Sequence, residues 1–220
     1  MTHDILVTGV GTGKYVADIK AGQLSRYYDR DVEAITLVDA KANLAAMADQ
    51  IRGKRVISHS AGFVAIQNAI KEFHTEPESI TAIASPTVTP IVDIIRRAEQ
   101  IIHHSVQDIA RYPLGATSVA MHALYVAGEI AKNRRFHVSV LSEISQFDSY
   151  QEGVANIDRG IPTTLVQMND DELFRTDSVS HAKAVSSNLP VIAIDGRHPD
   201  FIFDPIRVLE KIKAREVVRS

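Results

Sequence analysis

Apolar positions along this chain fall into two rhythms that take turns. Short runs with few breaks occur at Ile5-Leu6-Val7, Ala34-Ile35-Thr36-Leu37-Val38, Arg55-Val56-Ile57, Ile80-Thr81-Ala82-Ile83-Ala84, Thr164-Leu165-Val166-Gln167-Met168 and Pro190-Val191-Ile192-Ala193-Ile194. Between them apolar residues recur at helical spacing: near Tyr15 to Leu24, at Leu44, Met47 and Ile51, at Phe63, Ile66 and Ile70, and at Leu209 and Ile212 after the cap-and-proline pair Asp204-Pro205. A strand that is apolar at nearly every position is buried on both faces, and helices between such strands carry the chain back to the next one. The pattern therefore predicts an α/β fold, a mostly parallel sheet of about six strands with helices on both faces.

The rhythm breaks once. From Thr89-Pro90, a good N-cap and first-turn pair, to about Gly160 no strand pattern is present. Ile91, Ile94, Ile95, Ala98, Ile101, Ile102 and Ile109 form one helical stripe, Leu114 to Ala131 is alanine-rich and apolar on most sides, and Phe136, Val140, Leu141, Ile144 and Phe147 form a third stripe. Residues 89–160 are thus expected to be a helical cap inserted between the fourth and fifth strands, with 1–88 and 161–220 making the core.

Composition narrows the function classes. The chain has 220 residues, 45% hydrophobic and 23% charged, which suits one globular domain with an insertion. A net charge of -3 gives no electrostatic reason to expect nucleic acid or an anionic membrane as partner. The absence of cysteine removes disulfides, thiolate catalysis and cysteine zinc sites together. No run approaches a membrane span, and Met1 to Val7 lacks the basic lead and apolar core of a leader, so a cytoplasmic protein without a membrane span is expected. No cofactor or metal is expected: His103 and His104 are neighbours and do not share a helix face.

In an open parallel sheet the chemistry gathers beyond the carboxyl ends of the strands. There the sequence places Gly9-Val10-Gly11, Asp39, Ser60, Ser85-Pro86, Asn169-Asp170-Asp171 and Asp195-Gly196-Arg197-His198. The stretch Ser58-His59-Ser60-Ala61-Gly62 is built like a sharp strand-to-helix turn with Ser60 at its apex, because the residues two before and two after must be small for strand and helix to approach. A serine, carboxylates and a histidine then follow in the order Ser, Asp, His. Asp39 has a simpler role as the cap of a helix starting near Lys41.

These features resemble the α/β-hydrolase superfamily over nearly the whole chain outside the cap. The shared parts are the turn Thr8-Gly9-Val10-Gly11, the elbow around Ser60, Asp171-Glu172-Leu173-Phe174 and Asp195-Gly196-Arg197-His198. Beside the small departure of Ser58, where the elbow usually has glycine, two departures matter: the first two of the usual eight strands are missing, and Thr8 stands where many relatives have histidine. The resemblance implies Ser60 as nucleophile, His198 as base and Asp171 as the acid that orients it, with the backbone N–H groups of Val10 and Ala61 as the oxyanion hole. Asp170 is the rival acid; Asp-x-x-Phe favours Asp171. It implies a serine hydrolase, esterase- or lipase-like, that acts on a small, apolar ester or related acyl substrate and needs no cofactor, with a homodimer left open.

Two other readings compete. Gly9-Val10-Gly11-Thr12-Gly13 after a first strand is superficially a dinucleotide-binding turn of a Rossmann-type, NAD(P)-binding protein, but the third glycine of that pattern falls on Lys14, and Tyr15 spoils a phosphate-binding P-loop. A non-catalytic ligand-binding protein on the hydrolase scaffold is the other.

Overall fold

The computed structural model describes residues 3–94, 96–97, 134–171, 173–174, 182, 184 and 186–219. Its strands are β1 (Asp4–Val7), β2 (Val32–Ile35), β3 (Arg55–His59), β4 (Ser79–Ile83), β5 (Thr163–Met168) and β6 (Val191–Ile194). The helices are α1 (Lys14–Tyr28), α2 (Leu37–Ala42), α3 (Leu44–Ile51), α4 (Gly62–Phe73), α5 (Arg134–Gln146), α6 (Ser149–Asp158), α7 (Asp200–Phe203) and α8 (Pro205–Arg219). The six strands form one sheet in the order β2-β1-β3-β4-β5-β6, and every neighbouring pair is parallel. The fold class read from the apolar runs is the one observed.

Alternate residues of each strand feed two separate cores, as a doubly covered sheet requires. Ile5, Val7, Val56, Ile80, Ala82, Leu165 and Val191 pack with α2, α3, α4, α5 and α6. Leu6, Ile57, Ile83, Val166, Ile192 and Ile194 pack with α1, α7 and α8. The anticipated marker residues Met47, Ile51, Phe63, Ile66, Ile70, Leu209 and Ile212 are all buried.

The second strand corrects the sequence reading. Ala34 to Val38 was expected as one strand, but β2 ends at Ile35 and Leu37-Val38 open α2. The cause is a reciprocal cap: the Thr36 hydroxyl accepts from the Asp39 N–H at 3.1 Å and donates to the Asp39 carboxylate at 2.7 Å. Asp39 accordingly sits in the first turn of α2 and is not the cap itself; Thr36 is. A second cap, Asn43 Oδ1 accepting from the Ala46 N–H, starts α3, so two short helices replace the one expected near Lys41.

Between β4 and β5 the described residues contain helix and no strand. The stripe of Ile91, Ile94 and its continuation is seen as far as the helical residues 91–94 and 96–97, with Ile94 buried. Ile101, Ile102, Ile109 and the expected helix of Leu114 to Ala131 lie outside the described residues. In α5, Val140 and Ile144 are buried in the core. The helix α6 packs against β5. Ion pairs tie this region down, Lys41 to Glu143 and Lys71 to Glu152. Among the described residues no helix is long and apolar enough to cross a membrane.

Candidate active site

The sheet order reverses between β1 and β3: from β1 the chain goes outward to β2 and then returns to β3 on the other side. A crevice opens beyond the carboxyl ends of strands at such a point. The residues there are the β1 turn and Ser60.

Ser60 follows β3 directly and has φ of 56°. That left-handed conformation costs a non-glycine residue about 1–2 kcal/mol, and it persists because the surroundings enforce it. The Ser60 N–H donates to the Ile83 carbonyl at 2.9 Å, and the Ser60 carbonyl accepts from Phe63 at 3.3 Å. The chain therefore leaves β3 and enters α4 within two residues. Two glycines make this possible by close approach. A Cβ on Gly62 would run into the Val7 carbonyl of β1, and one on Gly9 would stand 2.6 Å from the Ser60 Cβ and 2.9 Å from its Oγ. Ser58, at the position where the elbow pattern prefers glycine, is fully buried, lying in register between Val7 and Ala82.

His198 lies in the loop between β6 and α7, and Asp171 in the loop after β5. The His198 Nδ1 is 3.0 Å from Asp171 Oδ2, and its Nε2 is 3.0 Å from Ser60 Oγ. A carboxylate only accepts, so Nδ1 carries the proton and Nε2 presents a lone pair to the serine hydroxyl. The other carboxylate oxygen of Asp171 accepts from the Leu173 N–H at 2.8 Å and the Phe174 N–H at 2.9 Å. Ser60, Asp171 and His198 are all buried, 6–7% exposed. Burial matters here because hydrogen bonds gain strength as water is withdrawn. The Phe174 ring meets the His198 ring edge to face at 5.2 Å, filling one side of the imidazole.

Asp170, the rival carboxylate, is exposed and is held by its backbone, its N–H donating to the Gly196 carbonyl at 3.0 Å. Asp39 stays in α2. Ala61, at the N-cap of α4, follows Ser60 directly, and Val10 follows Gly9, the residue of the β1 turn that packs on the Ser60 side chain. Neither of their N–H groups is taken by a hydrogen bond to a described residue. A small cavity of about 20 Å³, room for one water, borders Asp171 and is lined also by Ser85, Thr87, Ser149, Gln167 and Phe174. Among the described residues no group of histidines and carboxylates is arranged to hold a metal ion.

His59 and Phe201 were not singled out by sequence reasoning as parts of the site. The His59 Nε2 is 3.0 Å from the carbonyl oxygen of His198, and its ring neighbours those of His198 and Phe201, with centroids 5.1 and 5.3 Å away. No sequence signal marks them, since His59 occupies a position of the elbow pattern that any residue fills.

The glycine turn also speaks to the dinucleotide reading. The Gly9 backbone is packed on the Ser60 side chain, so it serves the elbow where a pyrophosphate would need open space. The strand order differs as well from 3-2-1-4-5-6, the dinucleotide-binding order.

No protein-family model matches the sequence, and no curated protein matches it. Solved structures do match. The chain is similar to the enol-lactonase from Burkholderia xenovorans LB400, with a TM-score of 0.65 at 9% identity, covering 98% of this chain and 91% of that one. It is similar to E-2-(acetamidomethylene)succinate hydrolase at a TM-score of 0.62 and 15% identity, over 98% and 91% of the two chains. A carboxylesterase structure from the thaumarchaeon Nitrososphaera gargenis matches at a TM-score of 0.61 and 11% identity, over 99% and 90%. Near-complete coverage of both partners means that the shared plan is the whole sheet with its helices, and on that plan this chain is an α/β-hydrolase-fold protein.

Proposed function

We propose that the protein is a serine hydrolase, esterase-like, cleaving small apolar esters or related acyl substrates through an acyl-enzyme. The observation that carries this reading is the unbroken chain from Asp171 through His198 to the Oγ of a serine held in a left-handed turn. A serine hydroxyl is a weak nucleophile until a neutral base stands beside it. Here His198 Nε2 takes the Oγ proton as Ser60 attacks the acyl carbon, and Asp171 stabilises the imidazolium that forms. The Val10 and Ala61 N–H groups receive the developing oxyanion; the second also lies at the start of α4, where the helix dipole favours negative charge. The imidazolium then gives its proton to the leaving group, and water attacks the acyl-enzyme by the reverse of the same steps. No cofactor is required.

The helices after Thr89 supply the cap in this reading. Because α6 packs on β5, the cap narrows to the chain before Ser149. Its start is tied to the acid loop, Arg97 donating to the Leu173 carbonyl at 3.0 Å. Cap side chains would then set acyl preference, with about 1–3 kcal/mol of discrimination per methylene.

A fluorophosphonate probe tests the proposal without a known substrate. Native protein should be labelled at Ser60 and heat-denatured protein hardly at all, because the serine is activated only while the base stands beside it. An adduct on another serine, or none on folded protein, would refute it.

A further inference from the structure

We infer that His59, the residue before the serine, is a positioning residue for His198: it anchors the backbone of the base to the strand that carries the nucleophile. The inference rests on the serine-hydrolase reading for what is being positioned, and on geometry for the rest.

His198 sits on a loop of its own, and most of that loop's ties run elsewhere. Gly196 accepts from the Asp170 N–H. The Arg197 N–H donates to the Asp200 carboxylate at 3.1 Å, and the Asp195 side chain accepts from Asn169 at 2.9 Å. These bonds shape the loop and fasten it to the β5 end of the sheet. None fixes its distance from β3, two strands further in, where Ser60 stands.

His59 spans that gap. It is the last residue of β3 and 3% exposed. A carbonyl only accepts, so the contact of its Nε2 with the His198 oxygen, 3.0 Å long, is an N–H donated by His59. The ring is held in turn: it stacks on Phe201, 0% exposed, with centroids 5.3 Å apart and planes 23° from parallel. It also meets the His198 imidazole, with centroids 5.1 Å apart and planes tilted by 43°. His59 thus grips the base at its main chain and at its ring. Since Ser60 is the next residue in sequence, the serine–base distance is set by one rigid residue and not by two loops meeting. Displacing a reacting group by about 1 Å can cost on the order of 100-fold in rate.

The test uses the full-length protein, wild type and two variants. His59→Phe keeps a flat ring and loses the donor; His59→Gln keeps an amide donor near the Nε2 position and loses the ring. Thermal melts check folding, and the readouts are the rate of fluorophosphonate labelling at Ser60 and the low-field resonance of the His198 Nδ1 proton in histidine-15N-labelled protein. His59→Phe should label about 10- to 100-fold more slowly and lose or broaden that resonance, with KM for any ester turned over unchanged and kcat reduced. His59→Gln should recover most of the labelling rate. Wild-type labelling by His59→Phe, or a folded His59→Gln that is as slow as His59→Phe, would overturn the inference. If His59→Phe does not fold, His59→Gln decides alone: a near-wild-type rate supports the anchoring bond, and a loss in a normally melting protein overturns it. If wild type itself is not labelled, the serine-hydrolase reading fails, and the proton resonance still reports on His59: its loss in His59→Phe supports the anchor and its persistence overturns it.

Discussion

Adjacent strands β3 and β4 are each followed directly by a non-glycine residue in the left-handed region, Ser60 at φ 56° and Ala84 at φ 49°. Both residues are buried, and each N–H bonds across to a neighbouring strand, Ser60 to Ile83 and Ala84 to Val166. The backbone cost is therefore similar at the two sites. What differs is the company. Around Ser60 stand a glycine in contact, a histidine nitrogen at 3.0 Å and a carboxylate behind it. Ala84 presents a methyl group to a small cavity. Backbone strain is thus no mark of function in itself; it becomes one where groups from other strands converge on the strained residue.

The sharpest way to break the comparison is at the serine. Ser60→Ala should leave the melting curve close to wild type and reduce kcat on the order of 10^6-fold, because members of such a unit fail together. A variant within tenfold of wild type on a chromogenic ester would remove the distinction between the two strained residues.

Next in size is the carboxylate. Asp171→Asn should lower kcat about 10^4-fold by spoiling the orientation and tautomer of His198, while Asp170→Asn, at an exposed position bound among the described residues through its main chain, should cost little. Equal losses in steady-state kinetics would mean that burial at Asp171 carries no special role.

Gly9→Ala should come third. Its methyl would meet the Ser60 Cβ at 2.6 Å, so either the elbow or the β1 turn must shift, with a loss on the order of 100-fold in labelling rate and a lower melting temperature.

The smallest effect belongs to the quiet twin. Ala84→Gly relieves about 1–2 kcal/mol of left-handed strain against about 0.5–1 kcal/mol of extra chain entropy lost on folding. A rise in melting temperature of a few degrees at most is expected, with labelling of Ser60 unchanged. A large activity change would show that Ala84 takes part in the site.

Some of this was legible in the residues. Runs such as Val56-Ile57 and Val191-Ile192 are buried on both sides, and their alternation with helical stripes is what a covered parallel sheet requires. The order Ser60, Asp171, His198 after three such runs already suggested where chemistry would gather. The end of β2 was misjudged because Leu37 and Val38 are as apolar as a strand, while the Thr36–Asp39 cap that turns the chain into α2 is a local signal easily outweighed by an apolar run.

What the sequence determined by itself was the alternation of strands and helices and the residue types at the strand ends, since these depend on periodicity and on local turn chemistry. Tertiary structure alone decided which of those residues meet. Asp170 and Asp171 are chemically identical neighbours, and in the sequence only the Asp-x-x-Phe wording of the resemblance separates them. One turns to solvent, and the other is buried where two backbone N–H groups and His198 bond it. His59 is the same lesson without any local signal: its partner is His198, 139 positions away, and a contact across that distance exists only once six strands have been laid side by side.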